Sequence, residues 1–164
     1  MVTEGYTAAF AACFVIAWAD VPYAATATTT MTVQVSITAT CTINSASTLN
    51  FGTQGVLATK VDQTSTLQVT CTNTTPYNIG LDAGTGTGAT VATRKLTSGA
   101  NTVNYTLYSN SGRTTVWGNT VSTDTVAGTG NGSGQSYTVY GRIPAQTTPA
   151  PGNYADTITV TVTD

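Results

Sequence analysis

The clearest structural pattern in the sequence is PAPGNYADTITVTVTD, residues 149–164. Its second half alternates strictly, with Ile158, Val160 and Val162 on one parity and threonines on the other. This is the period of a β-strand with one buried face. The proline- and glycine-rich first half, with Tyr154 just before the alternation, is typical of a sharp turn into that strand. We therefore predict a final strand whose apolar side chains face a core.

The rest of the chain has a similar organisation. Short runs rich in threonine, valine and tyrosine are separated by turn residues, and seven or eight such strands indicate an all-β antiparallel sandwich. The turn at residues 149–154 is similar to the corner before strand F of immunoglobulin-like sandwiches, where a tyrosine hydroxyl bonds to nearby backbone. If the last strand is F, nothing after Asp164 remains to form strand G. We expect such a sandwich to expose a hydrophobic groove that another strand must cover.

A second alternating stretch lies near the N-terminus: TTTMTVQVSITATCTI, residues 28–43. Its period predicts a half-buried strand. Its apolar face comprises Met31, Val33, Val35, Ile37 and Ala39. This strand could fold back on its own domain, or it could be given to the next subunit by strand addition.

Residues 8–19, AAFAACFVIAWA, form an apolar run of signal-peptide length that is too short to span a bilayer comfortably. Although residues 1–7 contain Glu4 and no lysine or arginine, we expect a signal peptide over residues 1–25, cleaved between residues 24 and 27. The alternative is a buried core helix. Cleavage would remove Cys13 and leave Cys41 and Cys71, an even pair in an exported chain. We expect these two to form a disulfide; the alternative is two buried thiols.

Composition argues against several classes of function. Charged residues make up 7% of the chain and its net charge is −2, which provides no electrostatic footprint for nucleic acid. Because histidine is absent, a Ser-His-Asp triad and histidine metal ligands are excluded. We therefore predict no enzymatic activity, no cofactor and no metal.

Two smaller expectations concern individual side chains. Five aromatic residues could form a ligand-binding surface, but packing in the core and across strands is the simpler interpretation. They are Tyr105, Tyr108, Trp117, Tyr137 and Tyr140. Asp156 could pair with Arg142, in a local structural role.

Three motifs, in this order, are similar to one known family. They are YTLYSNSGRTTVWG (residues 105–118), YTVYGRIPA (residues 137–145) and PGNYADTITVTV (residues 151–162). With the cysteine before "TI" and the one that closes "LQVTC", they resemble the spore coat U domain over residues 28–164. This family includes subunits of archaic, Csu-type chaperone–usher pili.

The resemblance implies an incomplete immunoglobulin-like sandwich that lacks its G strand. A periplasmic chaperone would supply the missing strand first. At an outer-membrane usher, the N-terminal extension of the next subunit would then replace it. The implied layout is a donor-strand extension over residues 26–40 and a sandwich domain over residues 41–164.

Several residues take implied roles. Met31, Val33, Val35 and Ile37 would fill the neighbour's groove, with Ala39 a weaker candidate. The disulfide maps to Cys41 and Cys71, and the acceptor groove would be bordered by Ile158, Val160 and Val162. The implied function is a structural subunit of an extracellular fimbria that serves attachment and biofilm formation. The alternatives are a tip adhesin and a secreted, self-complemented ligand-binding sandwich.

Overall fold

The structure, a computed structural model, describes residues 23–164. These residues fall into two units, one that ends at Val35 and one that spans Ser36–Asp164. In the first unit, residues 23–35 are exposed and form no strand. The apolar run at residues 8–19, on which the signal-peptide prediction rests, lies outside the described residues. Among residues 23–164, no helix is long and apolar enough to cross a membrane.

The second unit consists of eight strands and, within residues 36–164, no helix. The strands are β1 (Cys41–Ala46), β2 (Val61–Cys71), β3 (Pro76–Leu81), β4 (Arg94–Ser98), β5 (Asn101–Tyr108), β6 (Val126–Thr129), β7 (Gly134–Ile143) and β8 (Val160–Thr163). They form a five-stranded sheet in the order β1-β2-β7-β5-β4 and a three-stranded sheet in the order β6-β3-β8. All pairings are antiparallel. The prediction of an all-β antiparallel sandwich is confirmed.

The core lies between the two sheets and is built from the alternate residues of their strands. Leu67 and Val69 of β2 face Ile79 and Leu81 of β3, and all four are almost fully buried. Such alternation is what a sheet with one buried face requires.

The aromatic side chains belong mainly to the core and to contacts between strands, as expected. Tyr105 and Trp117 are buried, and the Trp117 indole donates to the Ile79 carbonyl at 2.8 Å. Tyr77 and Tyr137 join the two sheets through an edge-on ring contact and a 2.6 Å hydrogen bond between their hydroxyls. Burial, followed by that hydrogen bond, raises the pKa of Tyr77 above its ordinary range.

A disulfide joins Cys41 and Cys71, as predicted. The two residues are direct partners at one end of the β1–β2 pair, with Cα atoms 4.1 Å apart. The bond therefore ties the first residue of an edge strand to the last residue of its neighbour. In the chain-entropy model, a closed loop of this length stabilises the fold by about 3–4 kcal/mol.

The predicted N-terminal strand is shorter than its pattern suggested. β1 begins at Cys41, and residues 28–40 belong to no strand. Alternation determines which side chains share a face, but a strand also needs a neighbour to accept its backbone hydrogen bonds. The prediction of a half-buried strand over residues 28–40 is therefore wrong for the chain as described.

The predicted turn before the last strand is confirmed. The Tyr154 hydroxyl donates to the Ala150 carbonyl at 2.6 Å, across the turn formed by residues 150–154. The tyrosine ring packs against the core. This contact sets the direction in which the chain enters its final segment.

Candidate functional site

The candidate site is the outer edge of β8. This strand pairs with β3 on one side, and no strand in the described part of the chain pairs with it on the other. β1, the edge strand of the larger sheet, lies close to β8. The sandwich is therefore open where these two edges approach each other. A free edge with a partly exposed apolar face is a place where another strand can add.

Backbone pairing determines which groups of β8 face this open edge. The Thr159 carbonyl accepts from the Asp82 amide at 3.1 Å, and Gly80 lies opposite Thr161. In an antiparallel ladder, backbone groups of alternate residues point to opposite sides. Thr159 and Thr161 therefore direct their amides and carbonyls toward β3. The amides and carbonyls of Val160 and Val162 point to the open edge.

The side chains of the same residues point inward. Ile158, Val160 and Val162 are half-buried and pack against the core cluster, whereas the threonines between them are exposed. The structure thus places Val160 and Val162 on β8 with side chains toward the core and backbone groups toward the open edge, and Ile158 packs against the same core two residues before the strand.

A groove of about 850 Å³ lies beside the segment that leads into β8. One wall is formed by residues 48–57 and the other by residues 148–156. Its apolar lining includes Leu49, Phe51, Leu57, Leu96, Val103 and Ile143. Val56 borders it with 81% of its surface exposed. The groove is therefore an open concavity with a partly apolar lining.

Two aspartates fix the segment before β8. Asp82 Oδ1 accepts from the amides of Thr159 and Gly84 at 2.9 and 3.0 Å. Although burial alone would raise the pKa of Asp82, the hydrogen bonds from Thr159 and Gly84 and the charge of Arg94 hold it below its ordinary value. Asp156 accepts from the Thr85 amide and hydroxyl at 2.8 and 2.9 Å.

The second carboxylate oxygen of Asp156 accepts from the Tyr105 hydroxyl at 2.8 Å. Burial, and then this hydrogen bond, raises the pKa of Tyr105 above its ordinary range. The prediction that Asp156 pairs with Arg142 is therefore wrong. Arg142 instead forms a two-pronged hydrogen bond with Asp62, at 2.7 and 2.8 Å, directly across the β2–β7 pair.

Arg94 is a buried residue that sequence reasoning missed. It is fully buried, and its guanidinium donates to the carbonyl oxygens of Leu81, Asp82, Val91 and Trp117 at 2.7–2.9 Å. Burial lowers the pKa of Arg94, and nearby Tyr105, Asp82, Asp156 and Asp124 oppose this effect. Its carbonyl partners include the end of β3, which is the strand that holds β8. An arginine in a threonine-rich, weakly charged chain has no sequence signature for this role.

The predicted donor residues are exposed. Met31, Val33, Val35 and Ile37 have 78–87% of their surface exposed, and Ala39 is also exposed. One to two such residues are unremarkable on a protein surface, but a continuous alternating series is an unpartnered apolar face.

Residues 27–161 match the family model of the Spore Coat Protein U domain. The chain belongs to the spore coat protein U domain family. Protein U of Myxococcus xanthus is 34% identical over 155 residues, covering 85% of this chain and 86% of that protein. The family predicted from the three sequence motifs is thereby confirmed.

A solved structure shows the same fold in a pilus system. It is the CsuC–CsuE chaperone–tip adhesion subunit pre-assembly complex from archaic chaperone–usher Csu pili of Acinetobacter baumannii. The match has a TM-score of 0.54 at 25% identity and covers 77% of this chain. Our chain spans 40% of the length of the chain it matches there. This likeness agrees with the predicted immunoglobulin-like fold of pilus subunits.

Proposed function

We propose that this chain is a structural subunit of a surface fimbria that assembles by donor-strand exchange. In this proposal, residues 26–40 of one subunit add as a strand to the open edge of β8 in the next. The observation that carries the proposal is the open edge itself. There, no strand of residues 23–164 pairs with the outward backbone groups of Val160 and Val162, while their side chains are half-buried against the core.

The N-terminal segment has the chemistry that this edge requires. An added strand must bury one face and leave the other in solvent, which demands alternate apolar residues. Met31, Val33, Val35 and Ile37 meet that demand, and their exposure leaves them free to enter a neighbour's groove. Ala39 lies on the same face of the segment, but it would bury little apolar surface.

The free energies expected for an inserted strand favour a long-lived link between subunits. Burying four side chains of this size stabilises an inserted strand by roughly 1.5–3 kcal/mol each, or on the order of 6–12 kcal/mol in total. Backbone hydrogen bonds along the new ladder add about 1 kcal/mol apiece. A strand held in this way leaves slowly, so the fibre would be stable mainly in a kinetic sense.

The proposal also assigns partners and a location. The neighbouring subunits are copies of this chain or related subunits. A periplasmic chaperone would cover the open edge before assembly, and an outer-membrane usher would receive the subunit. A signal peptide over residues 1–25 would direct export. The product would be an extracellular fimbria that serves attachment and biofilm formation, so the role is structural and not enzymatic.

This proposal is tested by the assembly of variants that change side chains on only one face of the N-terminal segment. Replacing Val33 and Val35 with threonine removes two of the apolar side chains and keeps the β-propensity of the segment. We expect this variant to remain folded and to lose fibre formation. The matched control replaces Gln34 and Ser36 with threonine, on the other face, and should polymerise normally. Fibre formation by the Val33/Val35 variant equal to that of the control would contradict donor-strand exchange.

A tip adhesin is the second candidate, because the matched structure is described as a chaperone–tip adhesion subunit complex. The two roles differ in stoichiometry. A shaft subunit recurs along the fibre, whereas a tip subunit occurs once at its end. Immunogold labelling of fibres with an antibody to this chain distinguishes them, since labelling along the shaft supports the structural role.

A further inference from the structure

The segment that joins the exposed N-terminal residues to β1 is fixed on the domain's own β2–β3 turn. The Thr72 amide donates to the Thr40 carbonyl at 3.0 Å, and the Thr40 amide donates to Thr72 Oγ1 at 3.1 Å. The Thr72 hydroxyl lies 3.2 Å from the carbonyl oxygens of both Thr38 and Thr40, so it can donate to either. One residue further along, the disulfide joins Cys41 to Cys71. Residues 38–41 are therefore held by two adjacent residues of the same domain.

These contacts limit how much of the N-terminal segment can leave its own domain and insert into a neighbouring subunit. The Ile37 side chain is 78% exposed, whereas the carbonyl of the next residue already lies within hydrogen-bonding distance of Thr72. Consecutive Cα atoms are about 3.8 Å apart. If Ile37 fills a neighbour's groove, the residue that follows it is bound to its own subunit. No length of chain remains between them to act as a flexible linker.

We propose that Thr72 is a positioning residue which, together with the disulfide, holds residues 38–41 so that the donated segment ends at Ile37. This inference rests on the proposed function, because it defines where a donated strand begins and ends. Ala39 then stays on the surface of its own subunit. Successive subunits meet at the Ile37–Thr38 peptide bond, which makes the junction short and stiff. The proposed donor segment is therefore three residues shorter than the one expected from the sequence, residues 26–40.

Charged substitutions along the segment test where it ends. An aspartate cannot enter an apolar groove without a large desolvation penalty, but it is tolerated on an exposed surface. We expect Ile37→Asp and Val35→Asp to abolish fibre formation, whereas Ala39→Asp assembles within about twofold of the wild-type rate. If Ala39→Asp blocks assembly as completely as Ile37→Asp, the inference is overturned and the proposed function stands. If Ile37→Asp and Val35→Asp both assemble normally, the proposed function fails.

Amide exchange on the unassembled full chain tests the contact at Thr72 whether or not fibres form. Thr72→Val removes the hydroxyl that accepts from the Thr40 amide, so exchange at Thr40 should accelerate about fivefold. Thr72→Ser retains the hydroxyl and should restore slow exchange. Thr64→Val, at an exposed threonine of β2, is the matched control and should change nothing at Thr40. Exchange at Thr40 that is the same in Thr72→Val and in wild type overturns the inference.

Discussion

The hydroxyl of Tyr154 donates to the carbonyl of Ala150 at 2.6 Å, and this contact closes the turn that leads into the last strand. Tyr154 also lines the groove beside the segment that leads into that strand. This turn, which the sequence predicted, therefore directs the chain into the strand that has the open edge.

Replacing Tyr154 with phenylalanine should lower the free energy of unfolding by about 1 kcal/mol, because one hydrogen bond is lost while the ring stays packed. Urea denaturation measures this change. Tyr108→Phe is the control, since the Tyr108 hydroxyl has no hydrogen-bond partner among residues 23–164. A Tyr154 variant as stable as the Tyr108 variant would mean that the hydroxyl contact does not stabilise the turn.

Replacing Arg94 with methionine should destabilise the fold by about 3 kcal/mol or more, because four carbonyl groups lose their donor and the hydrogen bonds to two of them, Leu81 and Trp117, are buried. Urea denaturation again measures the change in the free energy of unfolding. The matched control is Lys95→Met at the next position, where the ammonium group donates to the Thr87 carbonyl in an exposed setting. We expect that control to cost less than about 1 kcal/mol. Equal effects at the two positions would contradict a structural role for the buried guanidinium.

The Asp62–Arg142 pair should contribute to the pH dependence of stability. The hydrogen bond from Arg142, supported by the charges of Arg113 and Lys60, holds the pKa of Asp62 below its ordinary value of 3.8. Because the pKa is lower in the folded state, the contribution is fully present above about pH 4 and is lost as the pH falls through the folded-state pKa. Asp62→Asn should cost about 1 kcal/mol at pH 7, and this cost should shrink as the pH is lowered below about 4. A cost that stays constant over this range would argue against the ion pair.

Removing the disulfide should cost about 3–4 kcal/mol of unfolding free energy. The variant replaces both Cys41 and Cys71 with serine, and denaturant unfolding is compared with that of oxidised and reduced wild type. Reduced wild type should behave as the double variant does. If the double variant matches oxidised wild type, the bond contributes nothing to the stability of the sandwich.

Sequence patterns predicted those features that depend on local periodicity and turn chemistry. The alternation at residues 158–162 correctly indicated which side chains face the core, and the turn before it correctly indicated the contact made by Tyr154. Alternation could not show whether residues 28–40 have a strand beside them, because that depends on a neighbour. Sequence patterns also could not predict which charged side chains form ion pairs. Asp62 and Arg142 meet through the register of β2 and β7, which no local pattern contains. The four carbonyl partners of Arg94 come from separate segments for the same reason.

In the proposed fibre, the open edge of β8 receives a strand from another subunit. Amide hydrogen exchange at Val160 and Val162, compared between the unassembled chain and the fibre, tests it most directly. Both amides point to the open edge, so they should exchange rapidly in the free chain and slowly in the fibre. The Thr161 amide faces β3 and should be protected in both states, which provides an internal control. Rapid exchange at Val160 and Val162 in the fibre, with Thr161 protected, would contradict strand addition at the β8 edge.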